Sequence, residues 1–341
     1  MIPHELRAAA GVLLRAAGYQ SDFAAARLDG GGNNRVFRLD SGGRSAVLKV
    51  YFRHESDPRD RLGAEFAFAR FAWDRAGLRS LPRPLAADAA NGLGLYEFIE
   101  GRKLAPGEVD DNAVGQALDF LAGLNRTRDA AGHLALGSET CFAVSEHVAT
   151  VDRRVARLAA IEGDEPEERA ARAFVAERLA PAWESVRRRL GPGARGAVAD
   201  ELPEPLRLVS PSDFGFHNAI LPADGKLRFI DFEYAGWDDP ARLVGDFFHQ
   251  VEVPVPLAFV EPFLARLGGI LGDEAGAAAA RSRLLLPLFA VKWCCILLND
   301  FHPVDRERRR FAAASGRERR AAQLDKARRL LARIDALPRH P

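Results

Sequence analysis

The chain has 341 residues, 48% of them hydrophobic and 28% charged, with a formal net charge of +1. That length exceeds what one core usually serves, so two lobes are expected; the composition excludes a disordered chain, and the near-neutral charge gives no field to gather a polyanion or a membrane surface. Three cysteines (Cys141, Cys294, Cys295) make no CxxC pair or disulfide framework, and the eight histidines show no HExxH-type metal spacing, so a reducing, cytoplasmic setting is the expectation.

In chain order, residues 3–18 read as a helix with Leu6, Val12, Leu13 and Leu14 on its apolar face, and Arg7 and Arg15 interrupt any signal-peptide run. Short β-rich runs follow at 23–28, 35–39 and 45–51, separated by the turns Gly30-Gly31-Gly32-Asn33-Asn34 and Ser41-Gly42-Gly43, which suggests an antiparallel meander. Helical periodicity returns over 58–77, and strands at about 84–87 and 93–99 complete a five-stranded antiparallel sheet. From residue 110 the pattern is mostly helical: a helix over 110–126, an Arg- and Glu-rich helical stretch over about 147–190, then a β-rich interruption (206–209, 219–221, 227–232) and further helices. The apolar run 284–298 carries Pro287 and Lys292 and is shorter than the ~20 residues of a membrane span, so it reads as a buried core helix. The fold class is α+β: a small antiparallel β lobe with its helix over 1–98, and a larger helical lobe over 99–341 with a helical insertion at about 110–190.

Chemistry concentrates in two stretches. In Ser210-Pro211-Ser212-Asp213-Phe214-Gly215-Phe216-His217-Asn218 an Asp and an Asn stand five apart between two expected strands, and Asp231 ends the apolar run Leu227-Arg228-Phe229-Ile230. Phosphoryl transfer needs such a set: one carboxylate to orient or deprotonate a hydroxyl and two oxygen ligands to hold Mg²⁺ against phosphates. Upstream, a glycine-rich loop leads to a strand bearing Lys49, one of only five lysines among 48 basic residues. Loop N–H groups can approach phosphate oxygens and a strand lysine can reach them.

The order Gly loop, Lys strand, Glu helix, hinge strand, Asp–Asn loop, Asp strand resembles the aminoglycoside phosphotransferase and choline kinase-like small-molecule kinases, over roughly residues 23–250. The resemblance implies a two-lobe protein kinase-like fold and ATP and Mg²⁺ as cofactors. Gly30, Gly31, Gly32, Asn33, Asn34 and Lys49 would contact phosphates, Glu65 would pair with Lys49, and the backbone near Glu97 and Ile99 would meet the adenine. By the same match Asp213 is the catalytic base, Asn218 and Asp231 are Mg²⁺ ligands, and Asp246 is a buried brace of the catalytic loop. The usual His two residues before the base is here Pro211, and the Gly directly before it is Ser212.

The implied partner is a small molecule with a hydroxyl group, such as an amino sugar, sugar or amino alcohol. Glu233, Asp238, Asp239, Glu252, Asp300 and Asp305 are candidates to receive a cationic acceptor, with Trp293 beside Asp300. Two other readings stay open: a nucleotide-binding module without catalysis, and nucleic-acid or partner binding through the basic segment 306–333, which has no aromatic interleaving. No Walker P-loop and no Ala-Pro-Glu segment occur.

Overall fold

The computed structural model describes residues 2, 4–28, 34–54, 57, 59–272, 275–302 and 317–337. Gly30, Gly31, Gly32, Asn33, Asp305 and the first part of the basic segment lie outside the described residues.

Helix α1 (His4–Ala16) buries Ala10, Leu13 and Leu14 in one core with Phe37, Leu39, Leu48 and Leu95 of a five-stranded sheet. Its strands are β1 (Ala24–Leu28), β2 (Arg35–Ser41), β3 (Arg44–Val50), β4 (Pro84–Asp88) and β5 (Leu93–Glu97), ordered β1-β2-β3-β5-β4 with every neighbour antiparallel. Gly42 (φ 58°) and Gly43 (φ 75°) close the β2–β3 hairpin, since a two-residue turn with positive φ at both centres matches the twist of the flanking strands. Side chains alternate across a strand. Ala46, Leu48 and Val50 therefore face α1, while Val47 and Lys49 face the opposite side, where the cleft lies.

Helix α2 (Arg61–Arg70) starts at Asp60, whose Oδ1 accepts from Gly63 N at 2.9 Å, and runs on as a π-helical turn, Phe71–Arg75. After β6 (Arg102–Lys103) come α3 (Asp111–Arg126), α4 (Val144–Leu158), α5 (Pro166–Phe174) and α6 (Ala180–Arg189). Four more short strands, β7 (Leu208–Ser210), β8 (Ala219–Leu221), β9 (Arg228–Phe229) and β10 (Gly236–Asp238), form two small sheets together with β6, ordered β10-β7 and β6-β8-β9. The strand expected over 227–232 thus shrinks to two residues, because the chain turns at Asp231 (φ 71°).

Helices α7 (Pro240–His249), α8 (Val260–Leu271), α9 (Ala275–Leu298) and α10 (Arg317–Ala332) complete the fold. The helix is longer than the apolar run: within Gly276–Phe301 an 18-residue window has a mean hydropathy of 1.7, enough to cross a bilayer by length and composition, but 78% of that window is buried inside the protein. Part of its cover is α10, which buries Leu324, Ala327 and Leu330 in the same core as Leu285, Cys294 and Leu298. Two arginines of α10 are tied inward, Arg319 to Asp300 at 2.8 Å and Arg320 to Glu168 at 3.1 Å, so this helix is a packed element and not a free basic rod.

A third core joins the two lobes. Phe214, directly after Asp213, stacks near Phe120, Phe229 and Phe247 with centroids 5.8, 4.9 and 5.6 Å apart. Phe232, directly after Asp231, meets Phe68 of α2 at 4.8 Å. One aromatic cluster therefore anchors the neighbours of both acids and the helix that carries Glu65.

Candidate active site

Between the lobes lies a cavity of about 380 Å³, lined by Val36, Val47 and Lys49 of the sheet, by the 97–99 segment, and by Asn218 and Asp231 from below. Lys49 Nζ is 2.6 Å from Glu65 Oε1 and 2.8 Å from Asp231 Oδ1. Burial would push its ammonium down, but the charges of Asp231 and Glu65 win and hold it above the ordinary lysine range. Tyr51 Oη donates to Glu65 Oε2 at 2.7 Å and lies 2.8 Å from Tyr96 Oη. Both oxygens of the buried Glu65 are thereby satisfied, as a buried carboxylate requires.

Asp213 follows β7 in a tight loop. Ser212 before it has φ 64°, a conformation that costs a non-glycine residue about 1–3 kcal/mol and is retained where the surroundings over-determine it. His217 Nε2 lies 3.3 Å from Asp213 Oδ1. Burial would raise the Asp213 carboxyl, but His217, then Lys292 and Arg242, outweigh it and hold it below the usual range, so Asp213 is ionised at neutral pH. Gly215 makes room for this histidine, since a Cβ there would stand 2.9 Å from His217 Nδ1. Asn218 Nδ2 donates to the Asp213 carbonyl at 3.0 Å, which turns its Oδ1 away from that bond.

Asn218 Oδ1 and Asp231 Oδ2 are the oxygens that could hold a divalent cation. Asp231 keeps its left-handed backbone, and Lys49 occupies only its Oδ1. No cluster of three or more His, Cys, Asp or Glu suited to a metal occurs among the described residues. Two protein oxygens with the remainder from phosphate and water is the usual arrangement for Mg²⁺, and the donor set fits it.

Several expected roles change. Asn34 does not present its side chain to a phosphate: its Nδ2 donates to Glu233 Oε2 at 2.8 Å and its Oδ1 accepts from Phe52 N at 3.1 Å. Glu233 is buried against Asn34 and Arg61, so it receives no acceptor. Asp238 is fully buried and holds Arg242 at 3.0 Å; Asp239 caps α7 and pairs with Arg281 at 2.8 Å; Asp300 is buried on Arg319. All four acids are buried and already engaged by an arginine or asparagine, which compensates a charge that burial would otherwise leave unpaired. Glu97 bonds back to Arg83 N through its side chain at 3.1 Å, while Glu97 and Ile99 both line the cleft. Asp246, expected as a brace of the catalytic loop, instead holds Lys292 at 3.2 Å and Trp293 Nε1 at 2.9 Å; Asp238, 3.5 Å from Ser212 Oγ, is the acid that touches that loop.

Asp213 opens onto a second cavity of about 410 Å³ in the helical lobe. Asp246 and Trp293 line it together with residues that sequence reasoning missed: His217, Glu139, Arg154, Arg242 and Lys292. The scarcity of lysine that singled out Lys49 applies equally to Lys292. Glu139 (φ 60°) is, with Ser212 and Asp231, one of three non-glycine residues with positive φ among the described residues, and like Asp231 it stands at a cavity wall. Burial would raise its carboxyl, but Arg154, Lys292 and Arg242 bring it down to about 2.

A family model described as the phosphotransferase enzyme family matches residues 24–285. Comparison with curated proteins gives no match. Among solved structures, a spectinomycin phosphotransferase in complex with ADP and spectinomycin is similar at 13% identity and a TM-score of 0.61, over 95% of this chain and 96% of that one. An ethanolamine kinase of Plasmodium vivax (11%, TM-score 0.53, 93% and 82%) and a choline kinase of Cryptosporidium parvum (10%, TM-score 0.52, 91% and 90%) share the architecture. At these identities the likeness is one of fold, a two-lobe kinase-like one.

Proposed function

Because the chain belongs to the phosphotransferase enzyme family, we propose that it moves the γ-phosphoryl group of ATP to a hydroxyl of a small molecule, with Asp213 as base and Asn218 and Asp231 as the Mg²⁺ ligands. Membership itself makes the chain a small-molecule phosphotransferase with an alcohol acceptor; the nucleotide, the metal and the residue roles are our reading. Asp213, ionised, accepts a hydrogen bond from the acceptor hydroxyl, orients its oxygen, and takes the proton as the new O–P bond forms and ADP leaves. Lys49, held by Glu65, sets a cation beside the phosphates. A divalent ion between Asn218 and Asp231 would neutralise phosphate oxygens.

The observation that carries this reading is the meeting of two cavities at one loop. Asp213 lines the cavity of the helical lobe, Asn218 lines the interlobe cleft, and a 3.0 Å hydrogen bond joins the two residues. ADP release with Mg²⁺·ATP and a panel of hydroxyl acceptors, compared between the native protein and Asp213→Asn, tests it: Asp213-dependent release is expected. Pro211 and Ser212, in place of the family's usual pair, favour a second reading, a nucleotide-binding module. Nucleotide binding without phosphorylation of any acceptor would decide for that module.

A further inference from the structure

The charge of the second cavity points to a class of acceptor. Among the described residues its lining has six basic residues (Arg59, Arg154, Arg157, Arg242, Lys292, Arg319) against four acidic ones. Every described carboxylate but Asp213 is already matched by a lysine or arginine: Glu139 by Arg154 at 2.6 Å, Asp246 by Lys292 at 3.2 Å, and Glu252 by Lys326 at 2.6 Å. The counter-charges of Arg242 and Arg319, Asp238 and Asp300, are buried behind the wall. An incoming ammonium group would find no unmatched carboxylate except the one that the attacking hydroxyl requires.

The cations are differently placed. Arg154 engages Glu139 through Nη2 alone, and Arg319 engages Asp300 through Nε alone, so both keep N–H donors at the cavity. Lys292 and Arg242 are buried in its wall, where charge is screened less than at an open surface. Burial and the nearby Arg242 push the Lys292 ammonium down against the pull of Asp246, a strain that an added negative charge relieves.

We propose that the acceptor carries a carboxylate or phosphate beside its hydroxyl, bound by the cation wall of Arg154, Arg319 and Lys292, and that polycationic amino sugars are excluded. This rests on the phosphotransferase reading above for what happens at the hydroxyl, but the binding itself can be measured without turnover. The full-length protein with Mg²⁺ and a non-hydrolysable ATP analogue is titrated calorimetrically with gluconate, glucose 6-phosphate, glucose, glucosamine and kanamycin. An anionic compound is expected to bind about tenfold or more tightly than glucose, the gain of one charge-assisted contact, and the gluconate and glucose 6-phosphate arms distinguish carboxylate from phosphate. Arg154→Gln is expected to weaken that binding and Glu139→Gln, which releases Arg154, to strengthen it; a merely structural pair would weaken it in both variants. Tighter binding of glucosamine or kanamycin, no binding of either anion, or the same direction of change in both variants overturns the proposal. Anion binding with the expected variant pattern but no Asp213-dependent ADP release would instead overturn the phosphotransferase mechanism and leave the anion site standing.

Discussion

The interlobe cleft and the cavity of the helical lobe share a loop but are built on opposite terms. The cleft has apolar walls, Val36, Val47 and Ile99 among them, and Lys49, Glu65 and Asp231 form one compact charged cluster within it. The second cavity is a mosaic of ion pairs, Glu139 with Arg154 and Asp246 with Lys292 among them, and its lining runs from Arg59 to Gln323. A flat, apolar base and a fixed triphosphate suit the first, and a polar acceptor whose identity varies suits the second. On the proposed function, nucleotide chemistry and acceptor specificity occupy separate surfaces, which meet at the Asp213–Asn218 loop.

That separation can be broken experimentally. The largest effect is expected at the junction: Asp213→Asn lowers kcat by about 10²–10⁴-fold while nucleotide affinity by calorimetry stays close to native. A comparable loss of nucleotide binding would mean that the two compartments are not independent. On the cleft side, Lys49→Met leaves the buried Glu65 without its cation and should cost about 3–5 kcal/mol of stability, read as a lowered midpoint in urea, together with weakened nucleotide binding.

On the other side, acid should soften the cavity wall first. His249 of α7 is buried with its Nε2 bonded to the Leu286 carbonyl of α9 at 2.9 Å, and burial, aided by Arg333 against Asp246, lowers it to about 4. An unfolded histidine titrates near 6.5, so between these values the unfolded chain binds the extra proton. Stability present above pH 6.5 is therefore lost as pH falls toward 4, by about 3 kcal/mol, and His249→Gln should flatten that part of a denaturation series. The smallest effect sharpens the junction itself. His217 is the largest of the influences that hold the Asp213 carboxyl down against burial, so His217→Ala should move the acidic limb of the kcat/KM profile to higher pH while changing its plateau little.

Much of the cleft was legible in the sequence because its parts are local. A glycine pair makes a hairpin, a strand exposes alternate residues, and Lys49 stood out in a chain that otherwise uses arginine. The second cavity was not legible for the opposite reason. Glu233, Asp238 and Asp300 look like free acids in one dimension, and only the fold brings Arg61, Arg242 and Arg319 to them from 172, 4 and 19 residues away. Their burial and pairing remove the negative charge that the sequence led one to expect in the acceptor region. Asp231 illustrates a smaller limit: the apolar run before it signals a strand, whereas the pairing stops at Phe229 and a left-handed turn aims the carboxylate.

The long apolar helix has a consequence for how variants of this protein will fail. During synthesis α9 emerges before α10, so the patch that Leu324, Ala327 and Leu330 later cover is open to other chains for that interval. Substitutions that loosen the last helix should consequently show up in cells as insoluble or membrane-associated product, even where the purified soluble fraction turns over normally. Yield and partitioning, more than specific activity, would then report on the C-terminal end of this molecule.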